Sequence, residues 1–305
     1  MFIEAIKAFL VGVVEGITEW LPISSTGHMI LVDEFVKLDV SAEFLELFLV
    51  VIQLGAILAV IILFFHKLNP FSPKKDPKEK KNTWRLWGMV LVGCIPAAIV
   101  GVLLDDWFHE HFYNALTVAI ALIVYGVIFI VIEILHGRKK PAVAKEPLRG
   151  RHARVASSAP LERQYRIETV DEIDVKAALK IGAFQMLAIV PGTSRSGSTI
   201  IGGLLAGCSR VAASEFSFFL AIPVMLGWGL LKFAKYLMAV GLSMSATEIM
   251  VLVIGIVTAF VVSVVSIKFL MSFVKKHTFI AFGVYRIVVG LIVIGFFATT
   301  GALFV

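Results

Sequence analysis

The sequence predicts an all-α polytopic membrane protein made of two inverted-topology repeats, each a re-entrant helical hairpin followed by three transmembrane helices. Three observations carry that prediction. Hydrophobic residues make up 59% of the 305, with a mean hydropathy of +0.92. Six apolar runs, at 45–65, 86–104, 115–135, 212–233, 248–270 and 279–297, reach the roughly 20 residues that a helix needs to cross a bilayer. The polar interruption inside residues 1–38 also has a counterpart inside residues 177–207.

Residues 1–21 read as a helix, but Glu15 and Glu19 near its end make a poor lipid-facing surface. Pro22 stops that helix, because proline lacks the amide donor and clashes with the preceding turn. The hydroxyl-rich turn Ser24-Ser25-Thr26-Gly27 follows, and His28 opens a second apolar helix to about Lys37. That second piece is roughly 15 Å long at the helical rise, half of a hydrocarbon core of about 30 Å. A segment that enters the membrane and returns fits, since irregular backbone survives at depth only inside protein or against a wet cavity. The N-terminal run has no basic region or small-residue cleavage site, and Glu4 lies within it; it is expected to be kept rather than cleaved as a signal peptide.

The spans at 45–65, 86–104 and 115–135 complete the first repeat, residues 1–136. Residues 137–176 are the one long polar stretch and include Arg138-Lys139-Lys140; they are expected to form a flexible basic linker near anionic headgroups. The second repeat, 177–305, begins with short helices at 177–190 and 199–207 broken by the loop at Pro191, and continues with the spans at 212–233, 248–270 and 279–297. Gly12, Glu15, Pro22 and the pair Ser24-Ser25 align with Gly182, Gln185, Pro191 and Thr193-Ser194, given one residue of slack. Glu46 and Gly55 align with Glu215 and Gly227, Gly93 with Gly255, and Gly126 with Gly290. Three spans is an odd number, so the halves must be inverted across the membrane, with the broken tips of both hairpins near the midplane.

Charge placement gives the orientation. Residues 66–85 carry seven Lys/Arg against two acids, and residues 137–176 ten against six, an excess larger than the net +6 of the whole chain. Basic loops beside spans read as cytoplasmic, which puts the acidic loop 105–114 outside and the Lys275-Lys276 turn inside. Only Lys232 and Lys235, near an outside turn, run against the pattern. The same concentration of charge at membrane flanks excludes nucleic-acid binding as the reason for the basic balance. Cys94 and Cys208 have neither metal-site nor disulfide spacing and read as small core residues.

The chemistry concentrates at the two breaks. The stretch Pro191-Gly192-Thr193-Ser194-Arg195-Ser196-Gly197-Ser198-Thr199 places two glycines, five hydroxyls and one arginine between apolar segments. An arginine at membrane depth marks a functional site, and exposed loop amides at a helix start make an anion cradle. On the other hairpin, Glu15 and Glu19 are four apart and share one helix face. Two such carboxylates must share a proton, bind a cation or face a basic group. Ser24, Ser25 and Thr26 could cap the following helix, and His28 alone would be a packed polar residue. Converging on Arg195, however, these groups meet the needs of phosphoryl transfer, namely charge neutralisation, a nucleophile and a proton carrier. A serine or the histidine could attack, and a glutamate could move the proton.

The run Glu15-Gly-Ile-Thr-Glu19-Trp-Leu-Pro-Ile-Ser24-Ser25-Thr26-Gly27-His28 resembles the glutamate-rich motif of the undecaprenyl-diphosphate phosphatases. Pro191-Gly-Thr-Ser194-Arg195-Ser196-Gly-Ser-Thr199 resembles their second signature, and order, spacing and repeat layout agree over nearly the whole chain. The linker at 137–176 is the main departure. The resemblance implies a bacterial inner-membrane enzyme, of the type associated with bacitracin resistance, that hydrolyses undecaprenyl diphosphate to undecaprenyl phosphate and inorganic phosphate. It would thereby recycle the lipid carrier for cell-wall synthesis. It also implies Ser25 as the favoured nucleophile, with His28 as acid/base group or rival nucleophile and Glu15 and Glu19 as the acidic pair. Arg195, Ser194 and Thr199 would bind phosphate, with Ser196 and Gly192 in the same loop. A divalent cation, Mg2+ or Ca2+, is implied, with Glu15 and Glu19 as its candidate ligands. The expected partners are the polyprenyl diphosphate and membrane lipids; a homodimer is left open. Because hairpin 1 enters from outside, the site is expected to open to the periplasmic side. Broken inverted repeats are also common in transporters, so a polyprenyl-phosphate flippase or anion transporter using the same phosphate site is the alternative. Ser25, His28 and Glu19 discriminate the two, because carrying a phosphate needs Arg195 but no nucleophile.

Overall fold

The computed structural model describes residues 1–137, 165–241 and 244–300, which are helical throughout apart from turns, loops and one isolated bridge. The elements run α1 (Phe2–Thr18), α2 (Ser25–Phe35), α3 (Ala42–Leu63), a one-turn α4 (Phe65–Leu68), α5 (Pro77–Phe112) and α6 (Ala115–Gly137). After the undescribed stretch come α7 (Val175–Gln185), α8 (Arg195–Leu205), α9 (Arg210–Val240), α10 (Ala246–Phe273) and α11 (Ile280–Thr300). Among the described residues six helices, α3, α5, α6, α9, α10 and α11, are long and apolar enough to span a bilayer. They include all six predicted spans, and α5 runs well beyond 86–104 at both ends. The chain is therefore an all-α, multi-pass membrane protein.

Its surface follows from that solvent. On α10 the exposed side chains Ile249, Val253, Val257, Val261, Val265 and Phe269 recur every four residues, an apolar stripe on the outer face of a helix. The opposite face carries buried Thr258, Ser263 and Ser266. Polar groups thus lie inside and large apolar ones outside, the arrangement that hydrocarbon rather than water favours.

The hairpins have the expected form. Helices α2, α7 and α8 have 11 residues each, roughly 16 Å and too short to cross. Helix α2 begins at Ser25 rather than His28, and α8 at Arg195 rather than 199, because Ser24 and Ser194 are their N-caps. Each cap hydroxyl accepts from the amide three residues on, Gly27 at 3.3 Å and Gly197 at 3.1 Å, satisfying an otherwise orphaned helical donor.

Close helix contacts fall at the aligned glycines. Gly12 of α1 faces the Gly255 carbonyl and Thr258 of α10, and Gly182 of α7 faces the Gly93 carbonyl and Pro96 of α5. Gly126 of α6 faces the Gly283 carbonyl, and Gly290 of α11 the Ala119 carbonyl. Both sets follow the alignment of Gly12 with Gly182, Gly93 with Gly255 and Gly126 with Gly290. Glu46 pairs with Lys232 at 3.1 Å, and Glu215 with Lys67 at 2.6 Å. The aligned glutamates therefore each hold a lysine of the other half, which gives Lys232 a carboxylate partner at the surface. One register needs correction. Ser24 and Ser194 are the only non-glycine residues with positive φ among those described, at 75° and 74°. Ser24 therefore corresponds to Ser194, not to Thr193, and Ser25 to Arg195. The prolines Pro22 and Pro191 slip by one residue because their local turns differ.

The segment read as a flexible linker is in part packed structure. Residues 138–164 lie outside the described residues, but 165–176 are docked on the bundle. Ile167, Val170 and Ile173 are buried, Ile167 exchanges backbone hydrogen bonds with Gly207 and Ser209 at 3.1 and 2.8 Å, and Arg85 donates to the carbonyls of Asp171 and Ile173. Three regularly spaced apolar residues among charges are too weak a pattern to show this in the sequence.

Candidate active site

The two hairpin tips meet. Helix α1 ends at Thr18, which leaves the Glu19 side chain beyond the last turn, pointing at the start of both short helices. Its Oε2 accepts from Ser25 Oγ at 2.8 Å and its Oε1 from Arg195 Nη2 at 2.8 Å. Ser25 and Arg195 are the first residues of α2 and α8, so one carboxylate ties the corresponding positions of the hairpins together. The serine hydroxyl is thereby aimed at a carboxylate oxygen, and the carboxylate is oriented by a guanidinium. That is the arrangement of nucleophile, base and orienting group found in activated hydroxyls.

Arg195 is held on three sides. Nη1 donates to the Ser217 carbonyl of α9 at 3.0 Å, and the guanidinium lies 5.6 Å over the ring of Trp20. Trp20 is itself fully buried and meets Phe218 edge-on. The third hold is Glu19. A cation stacked on an aromatic face and paired with one carboxylate keeps its reach in a low-dielectric setting.

Among the loop residues, Ser194 contributes its cap, and its hydroxyl lies 3.2 Å from that of Ser196. Ser196 is buried and reaches the backbone carbonyls of Glu19 and Leu21 at 3.1 and 3.2 Å, so it fastens hairpin 2 to hairpin 1. Thr199 is fully buried, with its hydroxyl 2.6 Å from Ser217 Oγ and 2.9 Å from the Arg195 carbonyl. It braces the turn that carries Arg195. Gly192 has φ +88°, and a Cβ there would come within 2.6 Å of the Val118 carbonyl; only glycine fits that approach.

Glu15 is buried one turn before Glu19, within electrostatic reach of Glu19 and Arg195, and its Oε1 has no hydrogen-bond partner. No group of three or more His, Cys, Asp or Glu side chains converges among the described residues. Glu15 and Glu19 are the candidate cation ligands, and both oxygens of Glu19 are engaged. The Glu15 carboxylate, with its buried Oε1 unpartnered, is the free hard donor group of the pair. It suits a cation of the Mg2+ or Ca2+ type, which completes its shell with phosphate oxygens and water.

His28 does not meet Ser25 or Glu19. Its Nδ1 lies 2.7 Å from the Ser24 carbonyl and its Nε2 2.8 Å from Tyr285 Oη, with the two rings stacked 3° from parallel. A carbonyl only accepts, so Nδ1 carries a hydrogen, and in the neutral ring Nε2 accepts from the tyrosine. Sequence reasoning passes over Tyr285, Ser217 and Arg286. Tyr285 and Ser217 carry no signal of their own. Arg286 did carry one, a lone charge inside the apolar run 279–297.

Between α2 and α11 lies an apolar groove of about 280 Å3 lined by Leu31, Val32, Phe35, Val36, Ile292 and Phe296. Those helices touch again at Phe35 and Phe296.

The family profile described as Bacitracin resistance protein BacA matches residues 8–292. The chain is 53% identical to an undecaprenyl-diphosphatase of Enterococcus faecalis, with 97% of this chain and 98% of that one covered. It is 51% identical to an undecaprenyl-diphosphatase of Acetivibrio thermocellus with the same coverage, and 49% to one of Lactiplantibacillus plantarum, again over 97% and 98%. A profile that spans both hairpins, together with relatives near half-identical from end to end, makes the assignment: the chain belongs to the BacA family of bacitracin resistance proteins.

Proposed function

We propose that the protein hydrolyses undecaprenyl diphosphate to undecaprenyl phosphate and inorganic phosphate, returning the lipid carrier to cell-wall synthesis and conferring bacitracin resistance. The observation that carries the mechanism is the chain Ser25–Glu19–Arg195, two 2.8 Å contacts that join the hairpins. Ser25 Oγ attacks the terminal phosphorus and gives its proton to Glu19. The bond between that phosphorus and the bridging oxygen breaks, and undecaprenyl phosphate leaves. Water then attacks the phosphoserine, Ser25 recovers its proton from Glu19, and phosphate departs with both water protons. Arg195 and the amides at the start of α8 neutralise the equatorial oxygens as charge develops. His28, whose ring nitrogens are engaged by the Ser24 carbonyl and Tyr285, takes no proton in these steps and braces the start of α2 against α11.

A divalent cation would be held by Glu15, with Glu19 beside it, and supplies charge neutralisation on the diphosphate when bound. The apolar groove between α2 and α11 suits the isoprenoid tail, because its lining is wholly apolar and α2 carries it on from the end that bears Ser25. Basic flanks at 66–85 favour a cytoplasmic placement of that end, so hairpin 1 and the site open to the outer side of the bacterial inner membrane.

The test is phosphate release from a polyprenyl diphosphate by the purified protein in detergent, with and without chelator. Release that depends on the cation and falls about 100-fold or more in Ser25→Ala and Arg195→Ala, the loss expected for catalytic groups, supports the reading. Undiminished release in both variants overturns it. Transfer of the lipid across a vesicle bilayer without hydrolysis would identify a carrier instead.

A further inference from the structure

Arg286 is fully buried in α11, and no carboxylate among the described residues pairs with it. A guanidinium placed so is costly unless its donors are used; here both terminal nitrogens are, while Nε has no partner. Nη1 donates to the Pro22 carbonyl at 3.3 Å, and Nη2 lies 2.9 Å from the Gly192 carbonyl and 3.0 Å from that of Thr193. With Ser24 matched to Ser194, Pro22 is the counterpart of Gly192. One side chain thus holds the same carbonyl in both hairpin loops. Each bonded loop then turns through a serine at positive φ. That conformation costs about 1–3 kcal/mol in a non-glycine residue and persists only where its surroundings over-determine it.

The placement of Arg286 is itself fixed. Gly283 and Gly290, on the same face of α11, lie against the backbone of α6 at Gly126 and Ala119. This close approach sets the depth of the guanidinium, which also lies 5.7 Å over the Tyr125 ring of α6. Neither Ser25 nor Glu19 touches it.

We infer that Arg286 is a positioning residue for hydrolysis: by clamping the two loops it sets the register in which Ser25, Glu19 and Arg195 meet. The inference rests on the proposed role of Ser25. A lysine cannot replace the arginine, since one ammonium on a flexible stem lacks the planar fork that spans two loops. A misplacement of about 1 Å at a reacting group costs on the order of 100-fold.

The experiment measures kcat, KM and thermal unfolding for Arg286→Lys, Arg286→Ala and Ser25→Ala in detergent, with guanidinium chloride added at millimolar concentration in a parallel series. The expected result is a kcat lower by about 100-fold in both arginine variants. Guanidinium should recover about tenfold or more of it in Arg286→Ala and none in Ser25→Ala. A kcat within threefold of the native value in a folded Arg286→Lys overturns the inference. So does a loss that merely follows the unfolded fraction, with no recovery by guanidinium. If Ser25→Ala keeps full activity, the active-site reading fails instead, and the two failures are told apart.

Discussion

Replacing Glu19 by glutamine preserves the length and planarity of the side chain and removes one of its two acceptors. In the native arrangement both oxygens accept, from Ser25 Oγ at 2.8 Å and from Arg195 Nη2 at 2.8 Å. An amide can face only one of these donors with its oxygen. If the oxygen stays on Arg195, the serine meets an NH2 group and has no base. If it turns to Ser25, two donors confront each other at Arg195 and the guanidinium loses its carboxylate. Either way proton removal from Ser25 loses general-base assistance, typically worth 100- to 10,000-fold, or about 3–5.5 kcal/mol of barrier at roughly 1.36 kcal/mol per decade. The assay is single-turnover phosphate release with enzyme in excess, so that product departure does not mask the chemical step. KM should move by less than the chemical rate, because Arg195 and the α8 amides still face the phosphate. A single-turnover rate within about fivefold of native, in protein with native thermal unfolding, would refute the role given to Glu19.

Three further outcomes follow from other contacts. Glu15→Gln should raise the Mg2+ concentration for half-maximal activity by about tenfold or more, in the range seen when a metal site loses support; an unchanged metal titration removes Glu15 from the cation site. Gly182→Ala would drive a Cβ into the Gly93 carbonyl, so it should destabilise by about 1–3 kcal/mol or more, seen as a lower unfolding midpoint in detergent. Gly88→Ala, with nothing within 4 Å of the new Cβ, is the control and should be near neutral. Arg210→Met would strand Glu133, whose buried carboxylate accepts from Arg210 Nε and Nη2 at 2.9 and 2.6 Å and from the Phe279 amide at 3.0 Å. A loss of about 3–5 kcal/mol is expected, with much of it recovered in Glu133→Gln/Arg210→Met by the same unfolding measurement.

The features legible in the sequence are those with local causes. Six spans show as apolar runs, and the hairpins show because Pro22 and Pro191 interrupt short helices beside hydroxyl clusters. The pairing of Glu19 with Arg195 was one of three options open to two carboxylates on a helix face, and the structure takes it. The features that stayed hidden depend on partners distant in sequence. Arg286 bonds only backbone carbonyls, which have no letter in a sequence, and Ser217 matters because α9 happens to pass Arg195. In the sequence His28 belongs with Ser25 only through the convergence of polar groups on one break. On the helix, however, its ring stacks on Tyr285 of α11, which takes Nε2 while the Ser24 carbonyl of its own hairpin takes Nδ1. The docking of 165–176 escaped for the opposite reason: its charges suggested solvent, and its three buried residues are too few to outweigh them.

The matched serines say how two similar loops become a site. At Ser24 and Ser194 the backbone is bent alike and capped alike, so the two loops share one local geometry. Likeness alone would not do the chemistry. With serine following both caps there would be two hydroxyls and no cation to hold phosphate; with arginine following both, two buried guanidiniums would repel and no nucleophile would exist. Here Ser25 stands on one loop and Arg195 at the matching place on the other, while Glu15 faces Gln185 across the same alignment. The carboxylate of Glu19 is what the second hairpin lacks entirely, since Ile189 occupies that place. One acid therefore serves both loops, accepting from the serine of its own hairpin and the arginine of the other. The asymmetry predicts its own test. Exchanging the pair, as Ser25→Arg with Arg195→Ser, keeps the composition of the site but puts the hydroxyl on the hairpin without acids. Phosphate release from a polyprenyl diphosphate should then be abolished even where the protein still folds, and retained activity would show that the loops are interchangeable.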